Sequence, residues 1–149
     1  EINMAGNSMQ PLGTLNRVAA HVVFNSFPQL NIVPENLAKA GVSIEPQGAV
    51  VTIIEAMTGT INSPEPYVQV HLTISLNKTS PVADLFKRQI QQYGVLGDVD
   101  VYTDSPVLSK YTIKNVSIQS QGAVNTAGTD GSFTVTLAGT WYVNDSMWI

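Results

Sequence analysis

From Tyr67 to Asn77, within the stretch INSPEPYVQVHLTISLNK at 61–78, apolar and polar side chains alternate without a break. Strand side chains point to opposite faces with a period of two. Val68, Val70, Leu72, Ile74 and Leu76 therefore share one face, and Tyr67, Gln69, His71, Thr73, Ser75 and Asn77 share the other. The first face needs a core. The second is polar yet carries no fixed charge. A similar alternation runs through 133–143, where Phe133, Val135, Leu137, Trp141 and Val143 are set against Thr134, Thr136, Ala138, Thr140 and Tyr142.

Residues 48–57, GAVVTIIEAM, are β-branched and apolar at both parities. That pattern predicts a strand buried on both faces. It is expected to lie antiparallel beside the 61–78 strand, after Thr58-Gly59 and the Ser63-Pro64-Glu65-Pro66 turn. Further strands are predicted at 16–25, 30–33, 42–44, 98–103 and 111–121, with a single helical turn at 36–40 closed by Gly41. Within 111–121, Tyr111 and Ile113 have one parity and Val116 and Ile118 the other, which predicts a bulge near Asn115. The NTAGTDGS run at 125–132 is dense in turn residues and predicts a hairpin loop.

One helix is predicted, over 80–93. Ser80 suits the N-cap, and Pro81 suits the first helical position because its missing N–H is not needed there. Val82, Leu85, Phe86, Ile90 and Tyr93 form a stripe at helical spacing, opposite a solvent face of Ala83, Asp84, Lys87 and Gln91. Lys87 and Arg88 lie in the half where the helix dipole favours cations, and Gly94 fits the position after the helix. The pattern thus predicts a mainly β domain of seven or eight strands, a small sandwich or barrel with one flanking helix.

A chain of 149 residues is one domain of common size, here 14–149 preceded by a polar N-terminal arm at 1–13. Hydrophobic residues make up 44%, enough for a core, but charged residues only 12%, about half the usual share. So neutral a surface suits a chain covered by other copies of itself. The net charge of −4 argues against a tight nucleic-acid binder, which needs Lys and Arg to displace counterions. The absence of cysteine excludes disulfides, thiolate metal sites and a cysteine nucleophile. No apolar run approaches the roughly 18 residues of a membrane span, so no membrane anchoring is expected.

The search for chemistry returns little. His21 and His71 are the only histidines, each within a strand and without a second ligand at metal spacing. Asp98, Asp100 and Asp104 resemble the start of a calcium loop, but Thr103 and Ser109 stand where that loop needs Gly and Glu. An acidic rim is the simpler reading. Glu55 in an apolar strand suits a general acid less well than a partner for a cation across a strand or subunit. The chain has no G-x-S-x-G, H-E-x-x-H or P-loop pattern, and its 128–131 segment is a turn rather than a phosphate cradle. Asn77, Asn115 and Asn144 begin glycosylation sequons, read here as chance matches. The expectation is a protein that is not an enzyme and takes no cofactor.

Several segments, read in order, resemble the tail tube proteins of contractile-tailed bacteriophages. They are LNRVAAHVVFNSFPQLNI, the stretch from LAKAGVSIEPQ through MTGTINSPEPYVQVHLTISLNK to DLFKRQI, LGDVDVYTDSPVLSKYTIKNVSI, and GSFTVTLAGTWYVNDSMW. The resemblance covers about 12–149, and its most specific parts are MTGTINSPEPY at 57–67, LGD at 96–98 and the terminal SMW. It implies hexameric rings stacked into a tube inside the sheath, with two hairpins per subunit joining their neighbours' in a large β-barrel around the channel. The implied partners are further copies of the chain, the tail sheath protein, tape-measure protein, and baseplate and tail-terminator proteins. Double-stranded DNA would pass through without specific binding. The implied location is the virion tail, assembled in the host bacterial cytoplasm. Gln69, His71, Thr73, Ser75, Thr134 and Thr136 would face the lumen, and Leu12, Pro64, Glu65, Pro66 and Trp148 would meet other subunits or the next ring. R-type pyocin and type VI secretion tubes are related in shape and remain alternatives. So does a β-sandwich binding module with an aromatic platform drawn from Tyr67, Tyr102, Trp141, Tyr142 and Trp148.

Overall fold

The structure, a computed structural model, describes residues 10–148. The expected arm at 1–13 lies mostly outside the described residues. Its last part, 10–13, is exposed coil, and Leu12 is almost fully exposed.

The fold is mainly β, with eight strands and one α-helix among the described residues. In chain order the strands are β1 (His21–Phe24), β2 (Leu37–Gln47), β3 (Val51–Ala56), β4 (Gly59–Pro64), β5 (Tyr67–Asn77), β6 (Val95–Tyr102), β7 (Lys110–Gln121) and β8 (Ser132–Tyr142). Helix α1 (Pro81–Gln92) joins β5 to β6. Six strands make a curled antiparallel sheet, a half-barrel, in the order β1-β6-β7-β8-β5-β2, while β3 and β4 pair only with each other. No helix among the described residues is long and apolar enough to cross a membrane.

The alternation in β5 is realised: Val68, Val70, Leu72, Ile74 and Leu76 are all buried. Phe133, Val135 and Leu137 of β8 join them, because the register places Leu72 opposite Leu137 and Ile74 opposite Val135 on the same face. Helix α1 closes this face, with Phe86 meeting Phe24 edge-on at 5.6 Å between ring centres. Ser80 caps the helix as expected, its side chain accepting the Val82 N–H.

The buried stripe of α1 is set differently from the prediction. Ala83, Phe86 and Gln89 face the core, whereas Tyr93 is exposed. The buried Gln89 amide donates to the Tyr93 carbonyl, and Tyr93 is already extended, so no left-handed Gly94 ends the helix. A polar side chain thus occupies an inward position by satisfying the helix's own terminus.

The bulge near Asn115 is present. Asn115 has φ +54°, and the β7–β8 register shifts between Lys114 and Ser117. Gly139 of β8 lies against it: a Cβ there would come within 2.4 Å of the Ile113 side chain and 2.8 Å of Val116.

Other expectations need correction. The 16–25 strand shrinks to β1 because Asn16 starts a turn, its side chain accepting the Val18 N–H and its carbonyl the Ala19 N–H. At 30–33 only an isolated bridge forms, between Ile32 and Val22. The helical turn falls earlier, at Pro34–Asn36, and β2 begins directly after it. Gly41, at φ +70°, sits in a bulge of β2 rather than at a helix end.

The largest correction concerns 48–57. Every residue of β3 is exposed, not buried on both faces. Its partner is β4, while β5 pairs with β2 and β8. Along the chain, Gln47 faces Gln69 and, four residues further on, Val51 faces Pro64. Strands β2–β3 and β4–β5 therefore form one long hairpin with an elbow at 48–50 and 65–66. Its distal half extends past the sheet, and β3 and β4 pack substantially only on each other.

Candidate functional site

Two surfaces stand out, and the long hairpin contributes to both. The first is the face of the sheet opposite the core. The β5–β8 register sets Gln69 opposite Thr140, His71 opposite Ala138, Thr73 opposite Thr136 and Ser75 opposite Thr134. Outward on β2, Ser43, Glu45 and Gln47 are paired with Thr73, His71 and Gln69, and on β7 Ser117 and Ser120 are paired with Ala138 and Thr136. All six residues expected to line a lumen thus share one continuous hydroxyl- and amide-rich face.

Ser75 differs from its expected wet position, being only 8% exposed. It lies where β2 slips register between Leu37 and Val42, so four residues, 38–41, crowd opposite it.

The electrostatics of this face are muted. Strands β5 and β8 hold no Asp, Glu, Lys or Arg. Toward β6 the charges come in pairs: Lys114 sits 3.3 Å from Asp98, and Lys110 lies 4.0 Å from Asp100. Two of the three carboxylates read as a possible calcium-loop start are thus each engaged by a lysine. His21 stacks on Tyr102 at 4.1 Å and contacts the Ala19 carbonyl through Nδ1. Away from this face, Asp130 in the β7–β8 loop has its carboxyl held below its ordinary value, first by the Ser132 backbone N–H and then by the Ser132 hydroxyl.

The second surface is the β3–β4 hairpin. Its register puts Val51, Ile53 and Glu55 on one face and Ile54 with Ile61 on the other. The side chains of Val51, Ile53, Ile54 and Ile61 are exposed, and Met57 at the tip is fully so. An isolated two-stranded hairpin is marginal in water, and so much exposed aliphatic surface marks an interaction site.

Pro64, Glu65 and Pro66 do not make the outermost turn. They form the root of the hairpin, and the tip is Met57-Thr58. Asn144 holds this root, its side-chain amide donating to the carbonyls of Val50 (3.0 Å) and Glu65 (2.7 Å). In the sequence Asn144 reads only as the start of a sequon. Its signal was there: it is an Asn just past a strand end, and Asn tolerates the left-handed conformation it adopts at φ +53°.

The aromatic candidates separate. Tyr67 lies opposite Tyr142, whose ring is 6.0 Å from Trp148, and all three are exposed. Trp141 instead turns to the other face and meets Tyr111 edge-on. Tyr102 is taken by His21. Leu12 lies in exposed coil.

No protein-family profile and no curated protein matches the chain.

Proposed function

We propose that this chain is the tail tube subunit of a contractile-tailed bacteriophage, forming rings of six copies that stack into a conduit for tape-measure protein and genome. The observation that carries the reading is the polar face spanning two neighbouring hairpins, β2–β5 and β7–β8, whose two central strands, β5 and β8, carry no Asp, Glu, Lys or Arg. A channel for DNA needs hydration without grip. A wall whose central strands lack Lys and Arg leaves the counterions on the phosphates, so a duplex can slide.

The edges fit closure. Strand β2 is an edge of the sheet, and residues 118–121 of β7 extend beyond its pairing with β6. The order β7-β8-β5-β2 is antiparallel throughout and even in number, so β2 of one copy and β7 of the next meet antiparallel. Closure removes exposed edges that would otherwise invite aggregation. Six copies supply about 24 strands, which at roughly 4.8 Å each enclose a bore about 37 Å between backbones before strand tilt widens it. That leaves room for side chains, water and one duplex.

Sheath, baseplate and tail-terminator proteins would be the outer and terminal partners, with assembly in the host bacterial cytoplasm and function in the virion. A pyocin-like or type VI tube would use the same geometry. Negative-stain electron microscopy of concentrated protein tests the reading: rings or tubes with a central channel are expected. A monodisperse monomer at every concentration, with and without tail partners, would sink it.

The Tyr67–Tyr142–Trp148 cluster favours a second reading, a carbohydrate-binding module. Glycan-array binding by the monomer, lost on Trp148→Ala, is the result that would support it.

A further inference from the structure

On the open side of the half-barrel, between the β2 edge and the segment after β6, lies a groove of about 790 Å³. Its floor is apolar: Leu37, Val42, Ile44, Leu108, Tyr111 and Trp141 line it. Two cations, Arg17 and Lys39, also line it, against one acid, Asp104. Both cations are exposed, and neither forms an ion pair among the described residues.

The same chain displays the complement. Val51, Ile53 and Glu55 share one face of the β3–β4 hairpin, two aliphatic side chains followed by one carboxylate. Glu55 is exposed and has no ion-pair partner among the described residues. Each hairpin strand has six residues and spans about 20 Å, while β2 runs eleven residues and about 36 Å along the groove.

We propose that this groove receives the β3–β4 hairpin of a second copy of the chain. Val51 and Ile53 pack on Trp141, Val42 and Ile44, and Glu55 sits between Arg17 and Lys39. The contact is heterologous, since a hairpin meets a groove rather than another hairpin. It therefore propagates from copy to copy instead of ending at a dimer. The apolar pair supplies the burial, and the carboxylate between two cations fixes register and rejects misaligned docking. The other hairpin face, with Ile54 and Ile61, stays available to a different neighbour. This proposal rests on the tube reading and names the receiving surface within it.

The test is charge reversal with rescue in the full chain, read by sedimentation and electron microscopy. Glu55→Lys and Lys39→Glu should each raise the concentration needed for assembly roughly tenfold, and the two together should restore it to within about threefold of the wild type. Both substituted positions are exposed, so circular dichroism and thermal melting of the dilute variants should match the wild type. Tubes that form normally in both single variants would overturn the docking while leaving the tube reading intact. So would single variants that fail without rescue by the double, or assembly lost only when residues 1–9 are removed, which would give the groove to the chain's own N-terminal arm. A wild type that never self-associates would overturn both.

Discussion

Strands β5 and β3 are both rich in aliphatic residues, yet they meet opposite fates. In β5 the apolar residues occupy alternate positions, and the sheet, with α1 across it, covers that one face. In β3 they occupy both parities, and both faces are exposed. Covering β3 requires two layers, and among the described residues the one α-helix and the six-stranded sheet are already used on β5. The difference teaches that 48–64 is built for company. A strand apolar on both faces belongs in an interior, and under the proposed tube reading other copies would supply it.

The comparison can be broken by substitutions in each strand. The largest effect is expected in β5: Leu72→Ala should cost about 2–5 kcal/mol of folding stability in the dilute monomer, measured by urea unfolding, because Leu72 is fully buried. The paired change Ile53→Ser with Ile54→Ser should leave that stability within about 0.5 kcal/mol, as for other exposed sites, while abolishing sedimentable assemblies. If the hairpin pair destabilises the monomer as much as Leu72→Ala does, β3 packs within its own subunit and the contrast fails.

A smaller effect is expected on the polar face of β5. Thr73→Lys with Thr136→Lys places cations at two directly opposed positions. The facing like charges should cost the monomer about 1 kcal/mol, and tubes should still form, but DNA should pass or eject more slowly and with a stronger dependence on salt. Loss of ring formation would mean that this face is packed against a partner rather than wet.

Much of this arrangement was legible in the sequence. The alternations in β5 and β8 fixed which residues face the core, since one face of each strand is covered and period two leaves no freedom. The Ser80-Pro81 start of α1 was readable because capping is local chemistry. The parity change between Ile113 and Val116 located the bulge at Asn115. What could not be read depended on distant partners. Periodicity marks β3 as wanting burial on both sides, but not whether its own chain provides it. Gln89 points inward because it reaches the Tyr93 carbonyl, and Asn144 matters because the chain's end returns to the root of a hairpin closed some 80 residues earlier. Arg17, Lys39 and Glu55 looked unrelated in sequence. Only the curl of the sheet gathers the first two at one groove.

Hydrogen exchange at 51–64, in dilute protein and in assembled material, tests the central claim most directly. As an isolated two-stranded ladder the hairpin should exchange rapidly in the monomer while β5 and β8 stay protected. On assembly, exchange across 51–64 should slow by about a hundredfold or more, the protection expected of buried ladder hydrogen bonds. Equal exchange of the hairpin in both states would contradict the account, because its apolar faces would then remain uncovered in the assembly they are held to build.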